Sequence, residues 1–151
     1  PVVEEALRAG LIEGLADYSV VRPEVTVELP GHARSRLDFC LTETGQPDLW
    51  IEVKNATLLT DERIQFPDAV TKRGLKHLQL LAELVTRGDR GVILYAVNRP
   101  EGNCFEAAAE IDPEYAETLS KVVAAGVEVV AVRINHTATG MGIGATLPIC
   151  A

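Results

Sequence analysis

Val92-Ile93-Leu94-Tyr95-Ala96-Val97 runs as six apolar residues with no polar position among them. A strand with one wet face alternates, so an unbroken run of this kind predicts a strand covered on both faces. Covering both faces takes helices on either side of a sheet, and the chain supplies helical patterns before and after the run. Val3, Ala6, Leu7, Leu11 and Ile12 recur near helical spacing with Glu4, Glu5, Arg8 and Glu13 between them, predicting an amphipathic helix that ends about Gly14. A second helix is expected from Pro67-Asp68 to about Arg87-Gly88, because Pro suits the first helical position and an acid complements the positive end of the helix dipole. Its buried stripe reads Val70, Gly74, Leu78, Leu81 and Val85, with Lys72, Lys76, Gln79 and Glu83 opposite and Arg73 at the boundary. Asp112-Pro113 opens a third helix that stops before Gly126.

The strands upstream have a different character. Val21 to Leu29 alternates in part and closes on Pro30-Gly31. In Arg36 to Leu41, Leu37, Phe39 and Leu41 point one way and Arg36, Asp38 and Cys40 the other; in Leu49 to Lys54, Leu49, Ile51 and Val53 oppose Trp50, Glu52 and Lys54. The connection between them is short enough for an antiparallel hairpin. Val127 to Ile134 reads as a further strand and Met141 to Pro148 as an edge strand or tail. An antiparallel meander followed by parallel crossovers predicts an α/β fold with a mixed central sheet flanked by helices. With 151 residues, 47% of them hydrophobic, the chain is the size of one domain with one sizeable core.

No apolar stretch approaches the roughly 18 residues needed to cross a bilayer and no signal peptide is visible, so a soluble, cytoplasmic protein with no membrane partner is expected. Cys40, Cys104 and Cys150 are far apart and odd in number, which reads as three reduced thiols rather than a disulfide framework or a zinc site. His32, His77 and His136 read as surface or helix-face residues. A formal net charge of −8 counts against tight, sequence-independent binding to a phosphate backbone. Between Lys54 and Arg90, however, seven Lys and Arg face five Asp and Glu, which makes this the only basic segment of note. The acids from Glu101 to Glu117 read as a solvated face turned away from any nucleic acid, or as the surface of a protein-interaction module.

Asp38, followed on the neighbouring strand by Glu52-Val53-Lys54, is the constellation that could do chemistry. If the hairpin pairs as described, two carboxylates and an ammonium meet on one side of a sheet whose other side is apolar. Two carboxylates can hold a hard divalent cation such as Mg²⁺ or Mn²⁺ at a phosphodiester, and a Lys beside them can orient the attacking water and offset developing charge. The Val53 backbone carbonyl can supply a third oxygen, and Glu5 on the first helix is a candidate outer ligand. Lys72, Arg73 and Lys76 could face a backbone phosphate as positioning contacts. The plainer reading is a surface strand pair with an Asp38 to Lys54 salt bridge, worth no more than about 1 kcal/mol, and a solvated helix face.

The stretches Ser35-Arg36-Leu37-Asp38-Phe39, Ile51 to Leu58, Phe66-Pro67-Asp68-Ala69-Val70-Thr71, Arg73-Gly74 with Lys76-His77-Leu78, and Ile111 to Ala116 resemble the sugar fermentation stimulation protein A (SfsA) family. The similarity covers nearly the whole chain. It implies a PD-(D/E)XK, restriction-endonuclease-like domain with Asp38, Glu52 and Lys54 in the motif positions, Glu5 near the family's helix acid, and Leu37 where the motif's name has Pro. It also implies DNA binding linked to regulation of sugar metabolism. Family members carry an N-terminal OB-like domain that this chain lacks, so DNA binding by this segment alone is expected to be weak. Two functions follow as expectations: a metal-dependent nuclease, which could act as a homodimer when cutting both strands, or a non-catalytic DNA-binding regulator on a nuclease scaffold.

Overall fold

The computed structural model describes residues 1–151. In chain order the elements are α1 (Val2–Arg8), β1 (Val20–Val27), β2 (Ser35–Thr42), β3 (Leu49–Ala56), β4 (Leu58–Thr60), β5 (Arg63–Phe66), α2 (Lys72–Thr86), β6 (Arg90–Val97), β7 (Cys104–Ala107), α3 (Pro113–Ala124), β8 (Glu128–Thr137) and β9 (Gly140–Leu147). Six of the strands form one sheet in the order β1-β2-β3-β6-β8-β9. Its centre, β3-β6-β8, is parallel, and β1, β2 and β9 join antiparallel at the sides. The expected α/β class with a mixed central sheet is therefore the observed one.

The apolar run sits where its composition predicts. β6 is buried from Gly91 to Val97, and its side chains divide between two cores. Val92, Leu94 and Ala96 pack with Val3, Ala6 and Leu7 of α1, while Ile93, Tyr95 and Val97 pack with Leu78, Leu81, Tyr115 and Leu119 of α2 and α3. The second core includes an aromatic cluster. Phe105 stacks on Tyr95 at 4.1 Å between centroids, and the Tyr95 and Tyr115 hydroxyls are 2.6 Å apart. No helix is long and apolar enough to cross a membrane.

Several boundaries differ from the sequence expectation, each for an identifiable reason. α1 ends at Arg8 rather than near Gly14, because Gly10 at φ 67° turns the chain out of the helix. α2 begins at Lys72 rather than Pro67. The Thr71 hydroxyl accepts the Gly74 amide at 2.9 Å and fixes the start there, so Asp68 lies outside the helix and Val70 is 68% exposed. A second sheet, β4-β5-β7, was not anticipated. Its β4–β5 hairpin turns through Asp61 and Glu62, at φ 49° and 64°, a tight turn made without the Gly or Asn that usually marks one. The expectation of three reduced thiols is also corrected. Cys104 and Cys150 form a disulfide, their Cα atoms 5.0 Å apart across 46 residues of sequence, because the chain end pairs with β7: the Phe105 amide donates to the Pro148 carbonyl and the Cys150 amide to the Phe105 carbonyl. Cys40 alone is free, and it is buried.

Asp112 ties the two helices of one face together. Its Oδ1 accepts the Tyr115 amide at 3.0 Å and caps α3, while its Oδ2 accepts the Thr71 amide at 3.0 Å, immediately before α2. The residue is 5% exposed, so both amides would be left dry without it. Asp112→Ala should lower the urea midpoint by an amount equivalent to about 2–3 kcal/mol with an unchanged slope. Asp112→Asn, which keeps one carbonyl acceptor, should recover roughly half of that. An unshifted midpoint in the Ala variant would show that the helices do not depend on this carboxylate.

Candidate active site

β1 and β2 pair along nearly their whole length, and so do β3 and β6. Between those two pairs the ladder is short: β2 meets β3 only from Phe39–Leu41 to Leu49–Ile51. Beyond Phe39 and Ile51 the strands part, which leaves backbone amides on their facing edges with no ladder partner. Two side chains take those amides. The Asp38 amide donates to Glu52 Oε1 at 3.1 Å, and the Val53 amide donates to Asp38 Oδ2 at 2.8 Å. The carboxylates of adjacent strands thus interlock in the split of the sheet. In a β-strand the N–H and C=O of one residue point to the same side, so the Val53 carbonyl also faces this split.

The parting of the strands changes which face each residue occupies. Leu37 packs in the core under α2 and α3, yet Phe39, two residues on, packs in the core under α1. The strict alternation read from Arg36 to Leu41 therefore breaks at Asp38. Glu52 and Lys54 lie on the α2 side with Trp50, as β3's own alternation requires, whereas Asp38 lines a cavity of about 570 Å³ with Val53 and Asn55 on the α1 side. The picture of all three groups on one face of the sheet is corrected to carboxylates that meet edge-on through the split. Glu4, not the expected Glu5, reaches that cavity wall, one residue being a rotation of about 100° on a helix. Glu4 also holds Arg8 at 3.0 Å. Glu24 lies on the same wall, with the left-handed φ of 51°.

On the α2 side three polar groups close a triangle. Lys54 Nζ is 3.2 Å from Glu52 Oε2, His77 Nδ1 is 2.9 Å from the same oxygen, and Lys54 Nζ is 2.9 Å from His77 Nδ1. No Asp38–Lys54 salt bridge forms; the lysine's acidic partner is Glu52. With a hydrogen on Nδ1, His77 donates to Glu52 and the buried carboxylate receives two donors. Without it, Nδ1 accepts from Lys54 and turns a lone pair toward Glu52. Burial pushes the Glu52 carboxyl up, but the His77 hydrogen bond and charge, followed by Lys54, outweigh it and hold the group below its usual range. Asp38 goes the other way. Burial raises it, the Val53 amide lowers it, and the charge and hydrogen bond of Glu52 keep the net shift upward.

His77, read from the sequence as a surface or helix-face residue, is 2% exposed and belongs to the site. The signal for it was present: 74, 77, 81 and 84 follow the three-and-four spacing of the helix face that buries Gly74, Leu81 and Leu84. Of the expected phosphate contacts, Arg73 and Lys76 line a groove beside His77, and Lys72, at the first position of α2, lies outside it.

As a metal site the split offers two carboxylates and one backbone carbonyl. No group of three or more His, Cys, Asp and Glu is gathered anywhere in the chain. That donor set fits a hard ion such as Mg²⁺, which retains several waters and takes one or two carboxylates, better than an ion needing an all-protein cage. The opposed shifts of Asp38 and Glu52 follow from their surroundings: burial and the Glu52 charge disfavour the charged form of Asp38, while His77 and Lys54 favour that of Glu52.

The family model described as the sugar fermentation stimulation protein RE domain matches residues 1–140. A sugar fermentation stimulation protein homolog from Geobacter metallireducens is 46% identical over 149 residues, covering 98% of this chain and 62% of the relative. One from Lawsonia intracellularis is 42% identical over 144 residues, covering 95% of this chain and 53% of the relative. Among solved structures, that of Pyrococcus furiosus SfsA in complex with Ca²⁺ superimposes with a TM-score of 0.84 at 26% identity, over 99% of this chain and 62% of that one. The chain thus spans little more than half to three-fifths of the length of these relatives.

Two predictions test the electrostatics. Asp38 has its pKa raised on folding, so ionising it costs stability above its ordinary value, fully so above the folded value. Asp38→Asn should therefore raise Tm at neutral pH and leave it unchanged at about pH 3, where the carboxyl is neutral folded and unfolded alike. A lower Tm at neutral pH would contradict the assignment. Glu52 has its pKa lowered, so its contribution is complete above the ordinary carboxylate value and lost as pH falls through the folded value. His77→Ala should cost about 2 kcal/mol at neutral pH, with the difference shrinking toward acid. His77→Asn, whose amide nitrogen can take the place of Nδ1, should recover most of the loss; equal losses in both variants would mean that His77 acts by packing alone.

Proposed function

The chain belongs to the sugar fermentation stimulation protein (SfsA) family, and we propose that its Asp38–Glu52–Lys54 site hydrolyses phosphodiesters of DNA with the help of a divalent metal ion, Mg²⁺ or Mn²⁺. The observation that carries this reading is the pair of carboxylates interlocked in the split between β2 and β3, with an ammonium 3.2 Å from one of them. Asp38, Glu52 and the Val53 carbonyl are the residues that would hold the ion. When bound, it would polarise the phosphate and lower the pKa of a coordinated water. The Ca²⁺ named with the Pyrococcus furiosus structure is a hard, oxygen-seeking cation of the same class and supports the choice of a hard divalent ion.

The chain's own residues supply the rest. Lys54 carries a positive charge beside the carboxylates and offsets charge that develops on the phosphate. His77 fixes Glu52 Oε2 from below, so the carboxylate keeps one orientation and its other oxygen stays toward the split. Arg73 and Lys76 position the nucleic-acid backbone without reading its sequence. On this reading the protein works in the cytoplasm, where its substrate is, and binding by this segment alone is weak because of its net charge of −8. Cutting both strands of a duplex would call for a homodimer.

A second reading is a DNA-binding regulator of sugar-metabolism genes on a nuclease scaffold, for which the Arg73 and Lys76 wall would suffice without catalysis. Incubating the full-length protein with labelled single- and double-stranded DNA in Mg²⁺ or Mn²⁺ separates the two. Cleavage by the unmodified protein, reduced about 100-fold or more by either Asp38→Ala or Lys54→Ala, is the expected result. Binding without cleavage in every metal would turn the assignment to the regulator.

A further inference from the structure

We propose that the groove between α2 and the turn joining β1 to β2 is a seat for a phosphate of the nucleic-acid strand that the Asp38–Glu52–Lys54 site cuts. The inference rests on the phosphodiester reading of that site and adds where the strand lies and which residues hold it. One wall is the turn segment from Gly31 to Ser35, and the other is the exposed side of α2 with Arg73, Lys76 and Gln79. Together they enclose about 410 Å³, a nucleotide-scale concavity.

The groove's charge departs from that of the protein. The chain has 22 acids against 14 Lys and Arg, yet the groove is lined by Arg34, Arg73 and Lys76 with no Asp or Glu. Arg73 and Lys76 form no ion pair. Arg34 forms one with Glu28 at 3.1 Å, but both side chains are more than three-fifths exposed, so the pair is weak and can exchange for a phosphate. Arginines on opposite walls, Arg34 beside Ser35 and Arg73 on the helix that carries Gln79, suit a tetrahedral anion that accepts bonds from several directions. The same sign of charge continues along the turn. Arg34, Ser35 and Arg36 line a shallower adjoining hollow with Thr26.

Position connects the groove to the chemistry. His77 lines its inner side, and the Nδ1 of that imidazole is 2.9 Å from both Lys54 Nζ and Glu52 Oε2. One ring therefore separates the seat from the catalytic pair.

Fluorescence anisotropy of the full-length protein with fluorescein-labelled single- and double-stranded oligonucleotides, without added metal and across a salt series, tests this. An Arg34→Ala/Arg73→Ala double variant should bind at least 10-fold more weakly, and its slope of log K against log salt should fall by about 0.7–0.9, corresponding to one lost phosphate contact. Lys76→Ala alone should take away about half of that slope change. Lys121→Ala, on α3 and outside the groove, should change neither quantity, which excludes a general effect of net charge. Unaltered affinity and slope in the double variant, beside an unmodified protein that binds, would overturn the seat and leave the cleavage assignment standing. Loss of cleavage in Asp38→Ala with binding retained tests the site independently of the groove. Failure of the unmodified full-length protein to bind either oligonucleotide would overturn both.

Discussion

Where β2 leaves β3 the sheet opens its own hydrogen-bond ladder, and the candidate site depends on how the open edges are satisfied. Two peptide amides there can be neither wetted freely nor paired across the gap, and the side chains of Asp38 and Glu52 take them reciprocally. That exchange draws two carboxylates together in a part-buried place where burial already disfavours their charge. The cost is met from the α2 side by His77 and Lys54, which neutralise Glu52 and leave Asp38 raised. A purely structural sheet would close this gap with ladder bonds between apolar strands. Keeping it open at an electrostatic cost is the pattern expected where stability is exchanged for a poised site.

α2 has to serve both sides of that arrangement. Its inward face carries Leu78, Leu81 and Leu84 into the core and brings His77 against Glu52, while Arg73 and Lys76, three or four positions from His77 or directly beside it, look into the groove. The helix can therefore move neither along its axis nor about it without disturbing the triangle of Lys54, Glu52 and His77. Its start is fixed by Thr71, and Thr71 is held in turn by Asp112, which also caps α3. The link from the cap of one helix to the orientation of a carboxylate on β3 is a chain of hydrogen bonds and packed side chains, each of them short.

The large-scale fold was legible in the sequence because it rests on patterns that act over one element at a time. The unbroken run from Val92 to Val97 demanded a two-sided cover, and the alternation of Leu49 to Lys54 set Glu52 and Lys54 on one face of β3. What was not legible depends on partners distant in sequence. The β4–β5 hairpin turns on Asp61 and Glu62 rather than on glycine, and Cys104 meets Cys150 only because the chain end pairs with β7. Asp38 was found as a residue but misplaced in space, since the alternation of β2 holds only while β2 stays paired to β3. His77 lies on a helix face whose burial its spacing signals, but its role there exists only once Glu52 lies opposite.

The same geometry would let an acidic domain meet a polyanion, as the proposed function requires. Its net charge of −8 is a sum over the surface, but field strength near a concave wall is set by the charges that line it. Arg34, Arg73 and Lys76 concentrate positive charge in one groove with no acid on its lining, and at the groove's inner side one imidazole passes from that field to the buried carboxylate of Glu52. Most acids elsewhere repel a strand from the rest of the surface. Approach of an anion is thus favoured along this groove, whose inner side lies one imidazole away from the buried Glu52 carboxylate.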